Sequence, residues 1–331
     1  MLPGIAAKDE QGIFVYSFRN TISMKRIFIF FLAAALTLSA TAQRSSAMAQ
    51  LMPQLEENMR NYAYDIVNAA ETVDRFRADS FFTRALVQAL RVPYSFGYRF
   101  DSLKTISMLY APDSSFRIIT WQVMKDFSYY RKKGAIQIHT KDGSLKLIPL
   151  FDNTSFTDNP IDSIRDNQHW IGAVYYNIIE KTFNNKKYYT LLGYDENDAR
   201  STKKWIEVLT FDDNGKPWFG SRFNYPNDNI KPPQPAYRFC LEFKKEANAK
   251  LNYDPELDVI ALAHLISETG DTKEKYTLIP EGSFEGFKWI AGRWVHVPLI
   301  REMDPRPTIN PQQSPAPKEN PFFPKRGKGG S

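Results

Sequence analysis

The chain has 331 residues, a formal charge of +6 and a single cysteine. One cysteine excludes an intrachain disulfide, so the body must be held by its core; a domain of this length buries roughly 70–75% of its unfolded surface. The charge sits at the two ends, +2 in residues 1–42 and +3 in residues 301–331, which leaves +1 for residues 43–300. A near-neutral body lacks the basic field that nucleic-acid binding requires.

Residues 24–43, MKRIFIFFLAAALTLSATAQ, carry the order of an export signal. Lys25 and Arg26 form a positive start, Ile27 to Leu38 an apolar run, and Ala40-Thr41-Ala42 the small side chains a signal peptidase accepts. The expected cut lies between Ala42 and Gln43. The run is shorter than the roughly 20 apolar residues of a membrane span, so no stable transmembrane anchor is expected. Residues 1–23 lack signal character, which places the start of synthesis at Met24 and makes the upstream stretch a mis-assigned start. Cys240 is far from the cut, so no lipidated cysteine follows it. The expected location is periplasmic or secreted, up to the outer surface.

Beyond the cut the pattern is helical. Leu55, Met59, Tyr62, Ile66, Ala70 and Val73 recur at helical spacing. Asp79 or Ser80 is the expected cap of a second helix, with Phe82, Leu86, Ala89 and Leu90 facing inward and Pro93 ending it.

From about residue 104 the period becomes two. The runs SFRIITWQV, AIQIHT, LKLIPL, YYTLLGY, KWIEVLTF, YRFCLEF, DVIALAHLI and KYTLIP read as strands. Asp142-Gly143, Asn184-Asn185, Asn214-Gly215 and Ala291-Gly292 supply the positive φ that tight antiparallel hairpins need. With no crossover helices between them, the fold class is mainly β, an antiparallel β-meander in a two-layered or propeller-like sheet preceded by a short helical region. A weak echo relates the stretch from Phe116 to that from Tyr188, 72 residues on, with residues 237–279 as a degenerate third copy. The domains expected are a signal peptide at 24–42, a helical region at 43–103 packing on the sheet, a β domain at 104–300, and a disordered proline-rich tail at 301–331 that holds too little apolar surface to order itself.

Chemistry-bearing motifs are scarce. EGSFEG is not a nucleophile elbow, and no H-E-x-x-H, paired C-x-x-C or phosphate-cradling loop occurs, so neither metal nor cofactor is expected. The histidines at 139, 169, 264 and 296 lack ligand spacing. His264 shares a strand face with Ile260 and Leu262 and is expected in the core, His139 outside it. Cys240 alternates with Arg238 and Glu242 and has no adjacent base, so a reactive thiol is not expected. The most polar connection is GYDENDARSTKKW, residues 193–205. As a calcium loop of the EF-hand kind it fails at Ala199 and Arg200. As a binding surface it offers Tyr194, Asp195, Asp198, Arg200 and Trp205. Tyrosine doublets at 129–130, 175–176 and 188–189 put one ring on each side of a strand, for sheet packing or for stacking on a ligand.

YRFDSLKTISMLYAPDSSFRIITWQV, YYTLLGYDEND and the closing EGFKWIAGRWVHV together resemble a family of exported Gram-negative bacterial proteins without an assigned activity. The resemblance covers about residues 80–300; it implies export and a β-rich body, and transfers no catalytic residue. The resulting expectation is a non-catalytic binding or interaction module of the cell envelope, with a glycan, a peptide or an envelope protein as partner. Two alternatives stand beside it. One is an exported polysaccharide hydrolase using Asp195, Asp198, Asp212 or Asp213; the other is a structural scaffold of an envelope assembly.

Overall fold

A computed structural model describes residues 50–298. The signal segment, its cleavage position and the tail lie outside the described residues. No described helix is long and apolar enough to cross a membrane.

Two helices come first, α1 over residues 50–68 and α2 over Thr72–Leu90. The helical stripe expected to run from Leu55 through Val73 is interrupted: Ala70 and Val73 are exposed, and the chain turns at residues 69–71. Arg75 explains the break. Its guanidinium donates to the carbonyls of Ala69 and Ala70 at 2.8 and 2.7 Å, satisfying acceptors that a helix end leaves open. The cap assigned to Asp79 or Ser80 is therefore wrong by a full two turns. Asp79 lies mid-helix and buried, accepting from Trp121 Nε1 at 2.8 Å and pairing with Lys133 at 3.3 Å. Phe82, Leu86, Ala89 and Leu90 face inward as their spacing requires, Phe82 meeting the edge of Trp121 at 5.2 Å.

Among the described residues fifteen strands follow, in three sheets. The first is a meander of β1 (Ser107–Tyr110), β2 (Phe116–Asp126), β3 (Tyr129–Ile138) and β4 (Lys146–Phe151). The short β5 (Arg165–Asp166) leads into the second, where β6 (Val174–Phe183), β7 (Lys186–Asp195), β8 (Ser201–Phe211) and β9 (Pro217–Phe219) run antiparallel and β5 lies against β9. After β10 (Phe223–Asn224), β11 (Phe239–Lys244) returns to pair with the first half of β8. The third is the meander β12 (Leu251–Asp254), β13 (Val259–Ser267), β14 (Leu278–Ile290) and β15 (Arg293–Val297), with β10 parallel to β15. All four expected hairpin turns are present, with positive φ at Gly143, Asn184, Asn185, Gly215, Ala291 and Gly292. The echo at Phe116 and Tyr188 falls on β2–β3–β4 and β7–β8–β9. Residues 237–279 do not continue it, since β11 belongs to the second sheet and β12 and β13 to the third.

The second sheet is covered on both faces, and consecutive residues of β7 make this visible. Tyr189 donates to Asp113 at 2.8 Å and meets Phe116 at 4.8 Å, toward the first sheet. Thr190 accepts from Trp294 Nε1 at 2.8 Å, toward the third. Residues 189–193 and 205–210 are accordingly buried without interruption, as strands lacking a solvent face must be. In each tyrosine doublet one ring is buried, Tyr130, Tyr175 or Tyr189, and its neighbour is more open.

His264 departs from the expectation of a core position. A register shift between Ala263 and Leu265 ends the alternation, so Leu262 and Leu265 both point inward and His264 turns outward beside Glu281 and Glu285. His139 is exposed, stacked on Phe96 at 4.6 Å.

Burying a sheet on both faces forces polar strand residues into the interior, where each needs a partner. Arg238, fully buried, donates to Glu207 at 2.7 Å and to the carbonyls of Pro160, Ser163 and Phe219. Glu207 also accepts from Tyr175 at 2.5 Å, whose hydroxyl accepts from Trp170 Nε1 at 2.8 Å. Replacing Arg238→Met leaves the Glu207 carboxylate buried with its cation removed, at a cost of about 3–5 kcal/mol. The expected result is a lower urea midpoint, and the paired Arg238→Met, Glu207→Leu variant is expected to recover part of it.

Candidate functional site

The polar connection of residues 196–200 joins the end of β7 to the start of β8 at the seam between the first two sheets. Its carboxylates meet two lysines from other elements. Asp195, 1% exposed, pairs with Lys132 of β3 at 2.7 Å, and both side chains are buried. Lys132 reaches it because residue 172 is glycine: a Cβ there would stand 2.4 Å from the Lys132 Cβ. The backbone N–H of Lys132 donates to Asp152 at 2.9 Å, fixing the strand from which the lysine extends.

Glu196, equally buried, accepts from Tyr194 at 2.5 Å and from the ammonium of Lys245. Lys245 also donates to the Glu196 carbonyl at 2.7 Å and lies over the Tyr130 ring at 5.5 Å. Burial raises the Glu196 carboxyl above its ordinary range. Lys245 and Tyr194 act in the opposite sense without overcoming it, and Asp195 adds to the rise. Tyr130 is pushed up to about 12 by the same desolvation, followed by the nearby Glu196 charge.

The five residues singled out in the sequence do not share a concavity. Tyr194 and Asp195 belong to this seam. Asp198 closes the turn, accepting the backbone N–H groups of Arg200 and Ser201 at 2.7 and 2.9 Å. Arg200 is exposed and stacks over Tyr276 at 4.3 Å. Trp205 is buried in the core, opposite Cys240 in the ladder. Sequence reasoning missed Lys132, Lys245 and Glu196. Lys132 stands in the run RKK, which reads as a solvated hairpin, and Lys245 is distant in sequence. Glu196 lay within the DEND run and was legible there.

A pair of glycosidase carboxyl groups must flank one bond, about 5–9.5 Å apart. Asp212 and Asp213 lie beyond the far end of β8, on the order of 30 Å along the strand from Asp195 and Asp198. Asp212 is occupied in its own hairpin, accepting from Asn214, Lys216 and Trp218. Desolvation raises the pKa of Cys240, which keeps the thiol protonated rather than a thiolate nucleophile. Among the described residues no group of three or more His, Cys, Asp or Glu side chains is placed to hold a metal ion.

An open depression of about 450 Å3 lies elsewhere, between the β10–β11 connection and the loop after β13. Asn227, Asn229, Gln234, Lys231, Lys273 and Lys275 contribute to its walls. Lys275 fastens the two loops together, donating to the carbonyls of Asn229, Ile230 and Thr272 at 3.0, 2.7 and 3.2 Å. Lys231 is anchored between Asp228 at 2.7 Å and Glu285 at 3.0 Å, and Glu285 receives His296 Nε2 at 2.6 Å from behind.

No family model, no curated relative and no solved structure matches the chain.

Two measurements probe the seam. Asp195→Asn leaves Lys132 buried without its counter-charge, and the expected loss is about 3–5 kcal/mol in denaturant unfolding. Glu196 has the opposite sign of pH dependence from an ordinary paired carboxylate. Its raised folded-state pKa contributes stability below the unfolded value of 4.5, and this is lost as pH rises through the folded value. Glu196→Gln removes that slope, so its stability deficit relative to the natural chain is expected to shrink between pH 4.5 and pH 7.

Proposed function

We propose that the chain is an exported, non-catalytic binding module of the Gram-negative cell envelope, and that it takes a polar ligand such as a glycan or a peptide in the depression between the β10–β11 connection and the loop after β13. The observation that carries this reading is the make-up of that depression. It has the size range of small-molecule sites and offers the side-chain amides of Asn227, Asn229 and Gln234 and the exposed Lys273 beside Pro232 and Pro233, on two loops braced by Lys275. Loops held on a rigid sheet scaffold are where binding groups concentrate.

The proposal moves the binding surface away from residues 193–205. Asp195 holds the first two sheets together, Glu196 joins the ends of β7 and β11, and Trp205 lies in the core. Export rests on the order of charge, apolar run and small residues at 24–42 together with the family resemblance.

The test is titration of the full chain with panels of acidic and neutral oligosaccharides and of short peptides. Saturable binding without turnover is expected, and Lys273→Glu is expected to weaken it about tenfold, the cost of about 1.4 kcal/mol, while leaving the melting temperature unchanged. Binding indifferent to Lys273→Glu would place the ligand elsewhere. Hydrolysis abolished by Asp195→Asn in a variant that remains folded would replace the proposal with the hydrolase.

A further inference from the structure

Lysines that are not fully exposed are a stringent test of a fold, because an ammonium taken from water needs acceptors. Among the described residues, Lys132, Lys133, Lys181, Lys203, Lys231, Lys244 and Lys245 each meet a carboxylate. Lys275 meets three carbonyls. Lys204 is half-buried and, among the described residues, has neither an ion pair nor a hydrogen bond.

Its surroundings follow from the ladder. On β8 it stands in register with Tyr194 of β7 on one side and Leu241 of β11 on the other. Tyr176 sits at the register shift of β6 against β7, and its ring lies 6.0 Å from the Lys204 ammonium. That ring is fixed, because its hydroxyl donates to the Leu251 carbonyl of the third sheet at 2.7 Å. The Tyr176 ring thus faces the amine, and the hydroxyl of Tyr194 is turned to Glu196.

Lys203 supplies the internal contrast. It is the preceding residue, half-buried on the other face, 3.7 Å from Glu242. Burial works against its charge, but the acidic groups around it outweigh this and raise its pKa. At Lys204 no carboxylate offsets desolvation, only the face of the Tyr176 ring at 6.0 Å, and the pKa is lowered to about 8.

We propose that Lys204 is a reactive amine that captures aldehydes covalently, a site independent of the depression and of the binding function assigned to it. The neutral amine's lone pair attacks the carbonyl carbon, forming a C–N bond. A proton passes from nitrogen to oxygen, water leaves, and an imine remains, so the step is reversible and requires no oxidant. Lysines in apolar surroundings serve as carbonyl-capturing nucleophiles for this reason: more of the amine is unprotonated near neutral pH.

The test is reductive methylation of the full chain with isotope-labelled formaldehyde at substoichiometric concentration. Cyanoborohydride supplies the hydride that traps the imine, and mass spectrometry of the peptides reports each lysine. At pH 7, Lys204 is expected to label about tenfold faster than Lys203 or the exposed Lys273, with a rate that levels off above about pH 8. Lys204→Arg is expected to remove the fast fraction of the label. Labelling of Lys204 no faster than Lys273, a rate still rising at pH 10, or no labelling at all would each overturn the assignment.

Discussion

The fold depends on a middle sheet with no solvent face. Once both sides of β7 and β8 are covered, every polar strand residue there has to be neutralised inside the protein, and the Glu207 carboxylate is where this is most demanding. It accepts from Arg238 and from Tyr175. Arg238 in turn holds the carbonyls of Pro160, Ser163 and Phe219, so one buried charge positions β6, β8, β11 and the connection before β5. Such a network need not add stability over an apolar core of the same shape. What it does is select a register. A one-residue slip of β11 on β8 would send Arg238 to the opposite face and leave Glu207 unpaired.

The same logic recurs at the seams. Lys132 with Asp195 connects the first two sheets, whereas Lys245 with Glu196 ties the ends of β11 and β7 within the second and lays its ammonium over Tyr130 of the first. Asp79 ties α2 to Trp121 and Lys133 of the first sheet. Arg117 does this without a carboxylate: its buried guanidinium donates to the Tyr98 and Ser95 carbonyls, the Tyr110 hydroxyl and Gln137, surrounded by the rings of Phe96, Phe100 and Tyr110. The polar residues of this chain are mostly structural, even where their clustering resembles a site.

That explains what could be read from the sequence and what could not. Hairpin turns were legible because positive φ selects a few residue types locally, as at Asn184-Asn185 and Asn214-Gly215. The break between the helices was not, since it depends on Arg75 reaching back to Ala69 and Ala70. Nor was the outward turn of His264, which one register shift decides. Alternation along YRFCLEF reads as one wet face and one dry, yet Arg238 is fully buried, because the number of layers is not encoded in a strand's own period. The cluster around Asp195 was half visible. Its acidic members lie together in DEND, whereas Lys132 and Lys245 arrive from strands remote in sequence.

The parallel pairing of β10 with β15 bears on how the molecule comes into being. Trp294 must travel back across 104 positions to donate to Thr190, and the strand carrying it closes the third sheet. Ring closures this wide are entropically costly and slow to form. A growing polypeptide therefore keeps one side of its middle sheet uncovered until the ribosome has delivered the closing hairpin.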